Sequence, residues 1–389
     1  MPTPVIPVDR FEERRRRFRE ALRAADLAGA LVVGRSFYDR TGDLTYLTNH
    51  LPPFPASEFT AEAAGLGHGA LVLATAGGEM LVADHLREDL VTVERRLVGT
   101  DVFGLAAEAL HELNLAGRPV GLVGTDLLPL AALERLEAGA PGTTFAAFDE
   151  ALRRLRRIKD EDEIAALRRA AGVSEIGLQA ALARARPGAS ERDVCAAGTA
   201  AALAAGADFV RYLRVHTGAW SQRTHRWPQA TDRRIEDGEA VFLDIIGAVD
   251  GYQFDVLRTT AAGRPGPELE RLLETTAAVQ DAVLAAVRPG VAVADLFRTA
   301  QAAADRAGFT GELAPFFGHG IGLETVEAPL LTATSPAVLE PGMVLCIEPT
   351  LRLPGVAGAS IEDEIVVRPD GFEWLTRLER RPWTTAGEN

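Results

Sequence analysis

Residues 239–260, EAVFLDIIGAVDGYQFDVLRTT, constrain this chain more than any other stretch: two apolar, β-rich runs flank Asp250-Gly251, and each run carries one aspartate. An Asp-Gly pair between such runs is a two-residue hairpin turn, since both central positions take positive φ. With that turn, Asp255 faces Ile246, and Asp244, two residues from Ile246, shares its face. The two carboxylates are then diagonal neighbours with Cβ atoms about 7 Å or less apart. Like charges set among Val241, Phe242, Leu243, Ile245 and Ile246 repel each other and lose hydration. A bound cation removes that cost.

Three further segments supply groups of the same kind. His319 lies between glycines in PFFGHGIGLETVEAP, where backbone and ligand can approach closely. Glu348 ends an apolar run in VLCIEP, and Glu362 precedes one in ASIEDEIVV. Asp363 and Glu364 compete with Glu362 for its role, and alternation puts Glu364 on the face of Glu362. Four carboxylates and one imidazole suit two divalent ions of the Mn, Co, Fe or Zn kind. Such a pair lowers the pKa of a bridging water and polarises a carbonyl, which points to metal-assisted hydrolysis of a C–N bond.

At 389 residues the chain suits two domains. Residues 1–155 read as an α/β domain. A helix carrying Phe11, Phe18, Leu22 and Leu27 precedes a strand at 29–33, a hairpin turns at Gly77-Gly78, and further strands fall at 119–123 and 144–148, between helices at 104–116 and 127–138. His50, His68, His85 and His111 have no ligand-like spacing and read as structural or surface residues. Residues 156–389 open with a long amphipathic helix and contain a repeat. Arg186-Pro187-Gly188 recurs as Arg288-Pro289-Gly290, Asp193 as Asp295 and Gly206 as Gly308, all 102 residues on, while GEAVFLD returns as GMVLCIE after 104. The expectation is two related halves, each helix, helix, strand, whose acids meet at a shared centre.

A net charge of −14 speaks against nucleic-acid partners. The basic cluster Arg14 to Arg17 reads as a solvated helix face, and Lys159, the only lysine, as codon bias. Cys195 and Cys346 read as small buried hydrophobes rather than a disulfide. No apolar run suits a signal peptide or membrane span, so a cytoplasmic protein without a membrane partner is expected.

The ordered set Asp244, Asp255, His319, Glu348 and Glu362 resembles that of the pita-bread metallohydrolases, which include proline dipeptidase, aminopeptidase P, methionine aminopeptidase and creatinase. That resemblance implies an N-terminal α/β creatinase-like domain followed by an α+β pita-bread domain of two pseudo-symmetric halves, and favours Glu362 over Glu364. It also implies bridging roles for Asp255 and Glu362, with Asp244 completing one metal site and His319 and Glu348 the other. Glu348 would be a proton shuttle, His225 a catalytic or substrate-contacting residue and His216 a second pocket residue; a short peptide or other small molecule would be the substrate, and a homodimer the assembly. Two positions depart from the pattern. Val326 stands where the peptidases carry a substrate-binding histidine, and Ser360 where many carry arginine. The leading expectation is an Xaa-Pro dipeptidase or aminopeptidase using a water activated between two metals. A creatinase-like or ectoine-hydrolase-like enzyme acting on a non-peptide compound is the second reading, and an inactive binding module the third.

Overall fold

The computed structural model describes residues 5–60, 64–223 and 227–380, and the chain divides into two compact units, Met1–Arg156 and Arg157–Asn389.

In the first unit, helix α1 (Val8–Ala24) leads into strand β1 (Gly29–Arg35), followed by α2 (Gly42–Thr48) and the antiparallel pair β2 (His68–Ala74) and β3 (Glu79–Ala83). The connection of that pair is the expected glycine turn, with Gly77 and Gly78 both at positive φ. Strand β4 (Arg96–Val98), α3 (Val102–Glu112), β5 (Pro119–Val123), α4 (Leu130–Gly139), β6 (Thr144–Ala147) and α5 (Asp149–Arg157) complete it, giving one mixed sheet in the order β4-β3-β2-β1-β5-β6.

The basic cluster corrects the sequence reading. Arg14 and Arg15 are buried on the same face of α1 as Phe11, Phe18 and Leu22, while Arg16 is exposed and bridges Glu13 and Glu20. Arg14 lies over the Tyr46 ring, and Arg15 donates to the Leu47 carbonyl at 2.7 Å and pairs with Glu79 at 3.3 Å. The helical period turns half of a charge run inward, and long side chains bury their stems while their heads find partners.

The second unit contains the repeat. Helices α6 (Glu161–Arg184) and α7 (Glu191–Ala204) precede β7 (Phe209–Thr217), β8 (Ala240–Val249) and β9 (Tyr252–Ala261), a three-stranded antiparallel sheet. Helices α8 (Pro267–Ala286) and α9 (Val293–Arg306) precede β10 (Phe316–Gly320), β11 (Glu327–Thr332), β12 (Val344–Ile347), β13 (Thr350–Leu353), β14 (Ala357–Ser360), β15 (Asp363–Arg368) and β16 (Gly371–Trp374). Five of these strands form a second sheet in the order β11-β10-β12-β15-β16, and β13 pairs with β14. The correspondence extends to single bonds: Gly188 donates to the Ile235 carbonyl at 2.9 Å, and Gly290 to that of Leu339 at 2.9 Å, with both glycines at φ +84°.

Each sheet turns one face to its helices. Leu213, Val215, Leu243, Ile245 and Val256 join α6 and α7 in one core; Phe317, Leu345, Ile347, Ile365 and Val367 join α8 and α9 in another. The alternate residues of these strands lie on the opposite faces. Lys159 also departs from expectation. It is buried, and its ammonium lies 2.9 Å from Glu327, so the one lysine anchors the start of β11.

A candidate metal centre

The hairpin of β8 and β9 has the anticipated register, Asp255 opposite Ile246, around Asp250 and Gly251 at φ 53° and 82°. Asp244 and Asp255 share the face opposite the α6–α7 core, and both are buried. On the second sheet, His319, Cys346 and Glu364 form one row across β10, β12 and β15. Glu348 follows β12 and Glu362 precedes β15, each two residues from a member of that row.

The outer edge of β9 joins the halves. Arg258 bridges to Ile361, the Glu362 amide donates to the Leu257 carbonyl at 3.0 Å, and the Asp255 amide donates to Glu364 Oε1 at 3.0 Å. Behind this seam, the fully buried Arg258 donates to the Glu362 carbonyl at 2.6 Å and pairs with Asp363 at 2.7 Å, and Gln280 also donates to Asp363 at 3.0 Å. Asp363 is thereby committed to the structure. Glycine at 318 is a steric requirement: at φ +147° a Cβ would stand 2.1 Å from the Cys346 carbonyl oxygen.

These contacts gather the five anticipated residues. His319 Nε2 lies 3.5 Å from Asp255 Oδ2, 3.5 Å from Glu348 Oε1 and 3.9 Å from Glu362 Oε1. Ligand atoms of Asp244, Asp255 and Glu362 fall within 4.8 Å of one another, as do those of His319, Cys346 and Glu362. Glu362 belongs to both groups. Cys346 is therefore more than a small hydrophobe, for its buried thiol faces the acids and contacts the Asp255 carbonyl at 3.8 Å. Cys195 is half-buried, away from these groups of ligand atoms.

The electrostatics are those of crowded acids. Burial, then the Asp255 charge, raises Asp244 well above the usual carboxylate range against the pull of Arg214. Burial, then Asp255 and Glu348, does the same to Glu362, and burial lifts Glu348 to about 7. For His319, burial pulls down but the bond to Asp255 and the charge of Glu348 outweigh it, raising it to about 9. Asp244 Oδ1, Glu362 Oε1 and Glu364 Oε2 are buried and accept no hydrogen bond. Buried carboxylate oxygens without donors, clustered with an imidazole, fit divalent cations.

The remaining anticipated residues lie around this cluster. His216 is fully buried, stacked on Phe242 with centroids 6.1 Å apart, and shares a face of the sheet with Asp244. Val326 is 54% exposed, just before β11, whose Glu327 pairs with Gly320 of β10. Ser360 donates to the carbonyls of Glu348 and Pro349, so its hydroxyl serves the backbone. His225 lies outside the described residues. Arg214 has no sequence signal; it pairs with Asp244 at 3.0 Å. Its register on β8 depends on a long connection, 218–239, that sequence patterning cannot fold.

The profile of metallopeptidase family M24 matches residues 165–369, and that of the creatinase/prolidase N-terminal domain matches residues 14–158. A putative dipeptidase, YkvY, of Bacillus subtilis is 31% identical over 277 residues, covering 71% of this chain and 76% of that protein. A probable dipeptidase, PepE, of Mycobacterium tuberculosis is 34% identical over 274 residues, covering 70% of this chain and 71% of that protein. Among solved structures, the Xaa-Pro dipeptidase from Bacillus anthracis superposes with a TM-score of 0.81 at 26% identity, covering 96% of this chain and 99% of that one. The prolidase from Pyrococcus horikoshii superposes at 0.82 over 95% of this chain and 99% of that one, with 23% identity, a likeness of fold. The chain belongs to metallopeptidase family M24, with a creatinase-type N-terminal domain before the pita-bread catalytic fold. It is accordingly a metal-dependent hydrolase of the peptidase class. No helix among its described residues is long and apolar enough to cross a membrane.

Proposed function

We propose that this protein is an Xaa-Pro dipeptidase or aminopeptidase, with residues 156–389 as its catalytic domain and 1–155 as its creatinase-like domain. Two divalent ions, Mn, Co, Fe or Zn, would be held by Asp244, Asp255, His319, Glu348 and Glu362, with Asp255 and Glu362 shared. When bound, such ions acidify water and polarise a peptide carbonyl. The observation that carries the reading is the convergence of these groups from both halves, four of them buried and Glu348 partly so, with Glu362 common to both groups of ligand atoms. Relatives named as dipeptidases supply the substrate class.

Within this chain, Glu348 is the proton carrier. As a carboxylate beside the metal-activated water, 3.5 Å from His319 Nε2, it would take that water's proton and pass it to the leaving amine. His225 and His216 are assigned to the substrate side. Val326 favours a second reading, a creatinase-like or ectoine-hydrolase-like enzyme acting on a small non-peptide compound, because valine offers no donor to a developing oxyanion.

The test is hydrolysis by the Mn- or Co-loaded protein of Xaa-Pro dipeptides, longer Xaa-Pro peptides, creatine and ectoine-like compounds, with Asp255→Ala as the inactive control. Cleavage confined to the non-peptide compounds would replace the first reading with the second. Light scattering tests the homodimer, and fractionation the cytoplasmic location, that accompany the proposal.

A further inference from the structure

We infer that Arg214 acts as a built-in cation at Asp244 and competes with a divalent ion there, weakening the second metal-binding step. The inference rests on the proposed ligand set. Asp244 and Arg214 face each other directly in the β7–β8 register, and one guanidinium nitrogen stands 3.0 Å from Asp244 Oδ2. Only Oδ1 of Asp244 accepts no hydrogen bond. Arg214 is held in place: its guanidinium lies 4.2 Å from the centre of the Tyr212 ring and donates to the Tyr212 hydroxyl. Its side chain is 15% exposed, so water screens it weakly.

The charge of Arg214 reaches Glu348 as well, but its direct ion pair is with Asp244, so the consequence is larger on that side. An ion among Asp244, Asp255 and Glu362 must share Asp244 with a fixed positive charge. An ion at His319, Glu348 and Glu362 has no arginine paired with any of these ligands among the described residues. A neutral side chain at 214 would free both oxygens of Asp244 and remove the opposing charge.

The experiment is calorimetric titration of the metal-stripped full chain with Mn(II) or Co(II), alongside elemental analysis after gel filtration. The wild type is expected to retain one ion per chain through filtration and to bind a second at least about tenfold more weakly. Arg214→Gln should tighten that second step by about tenfold or more, and Arg214→Lys, which keeps the charge, should leave it weak. Circular dichroism establishes that each variant is folded. Two ions of equal affinity in the wild type would overturn the inference without any variant. An unchanged second step in folded Arg214→Gln would do the same. These outcomes leave peptide hydrolysis as a separate question, since absent cleavage refutes the proposed activity whatever the stoichiometry.

Discussion

Replacing Arg258 with methionine tests how far the metal-side geometry depends on the structure behind it. Arg258 is fully buried and donates to the carbonyls of Leu257, Glu362, Leu378 and Glu379 and to the Asp363 carboxylate. Methionine fills much of the same volume and supplies none of these bonds. Asp363 would keep Gln280 at 3.0 Å, the Thr376 hydroxyl at 2.8 Å and Arg380 at 3.5 Å, so its charge would be met in part. Breaking a buried ion pair of this kind costs about 3–5 kcal/mol, and the loss here should fall toward the lower end of that range. In a unit the size of Arg157–Asn389, each kcal/mol lowers Tm by about 2–4 °C, so Arg258→Met should melt about 6–20 °C below the wild type. Scanning calorimetry of the metal-free proteins measures this directly. Metal affinity should fall too, because the Glu362 carbonyl is one of the anchored groups. A variant that melts within about 2 °C of the wild type would show that the Arg258–Asp363 pair carries no weight.

Three further outcomes follow from the same geometry. Glu348 and His319 both hold protons more tightly in the folded, metal-free protein than their ordinary values of 4.5 and 6.5. Their stabilising contributions are full below those values and are lost as pH rises through about 7 and about 9, so denaturant midpoints of metal-free protein should fall across pH 4.5–9; a flat or rising profile contradicts the raised values. Gly318→Ala should destabilise by about 2 kcal/mol or more and weaken metal retention, since its Cβ would meet the Cys346 carbonyl and its φ is strained; wild-type unfolding and metal content would refute this. Val326→His should raise kcat/KM for Xaa-Pro peptides by about a hundredfold if that position sets substrate class, and an unchanged substrate panel would show that it does not.

Much of the site was legible because its elements are local. The Asp250-Gly251 turn fixes its own register, and with it the pairing of Asp255 with Ile246. The repeat exposed the two halves, since Arg-Pro-Gly recurs before a helix in each. What escaped was non-local. Alternation placed Glu364 beside Glu362, yet only the fold shows that Glu364 receives the Asp255 amide while Asp363 turns to Arg258. Composition made Lys159 look incidental and Arg14 and Arg15 look solvated. Their burial depends on partners, Glu327, Tyr46 and Glu79, that lie far along the chain.

The seam between the halves would give bound cations a second role. Asp244 and Asp255 come from one copy of the repeat, and His319, Glu348 and Glu362 from the other. On the proposed ligand set, an ion gripped from both sides would be released on unfolding, so it would stabilise the folded chain by its own binding free energy, which grows with the free cation concentration. Chelation would then loosen the protein as well as silence it, and cation supply would govern how long this polypeptide withstands heat and proteolysis.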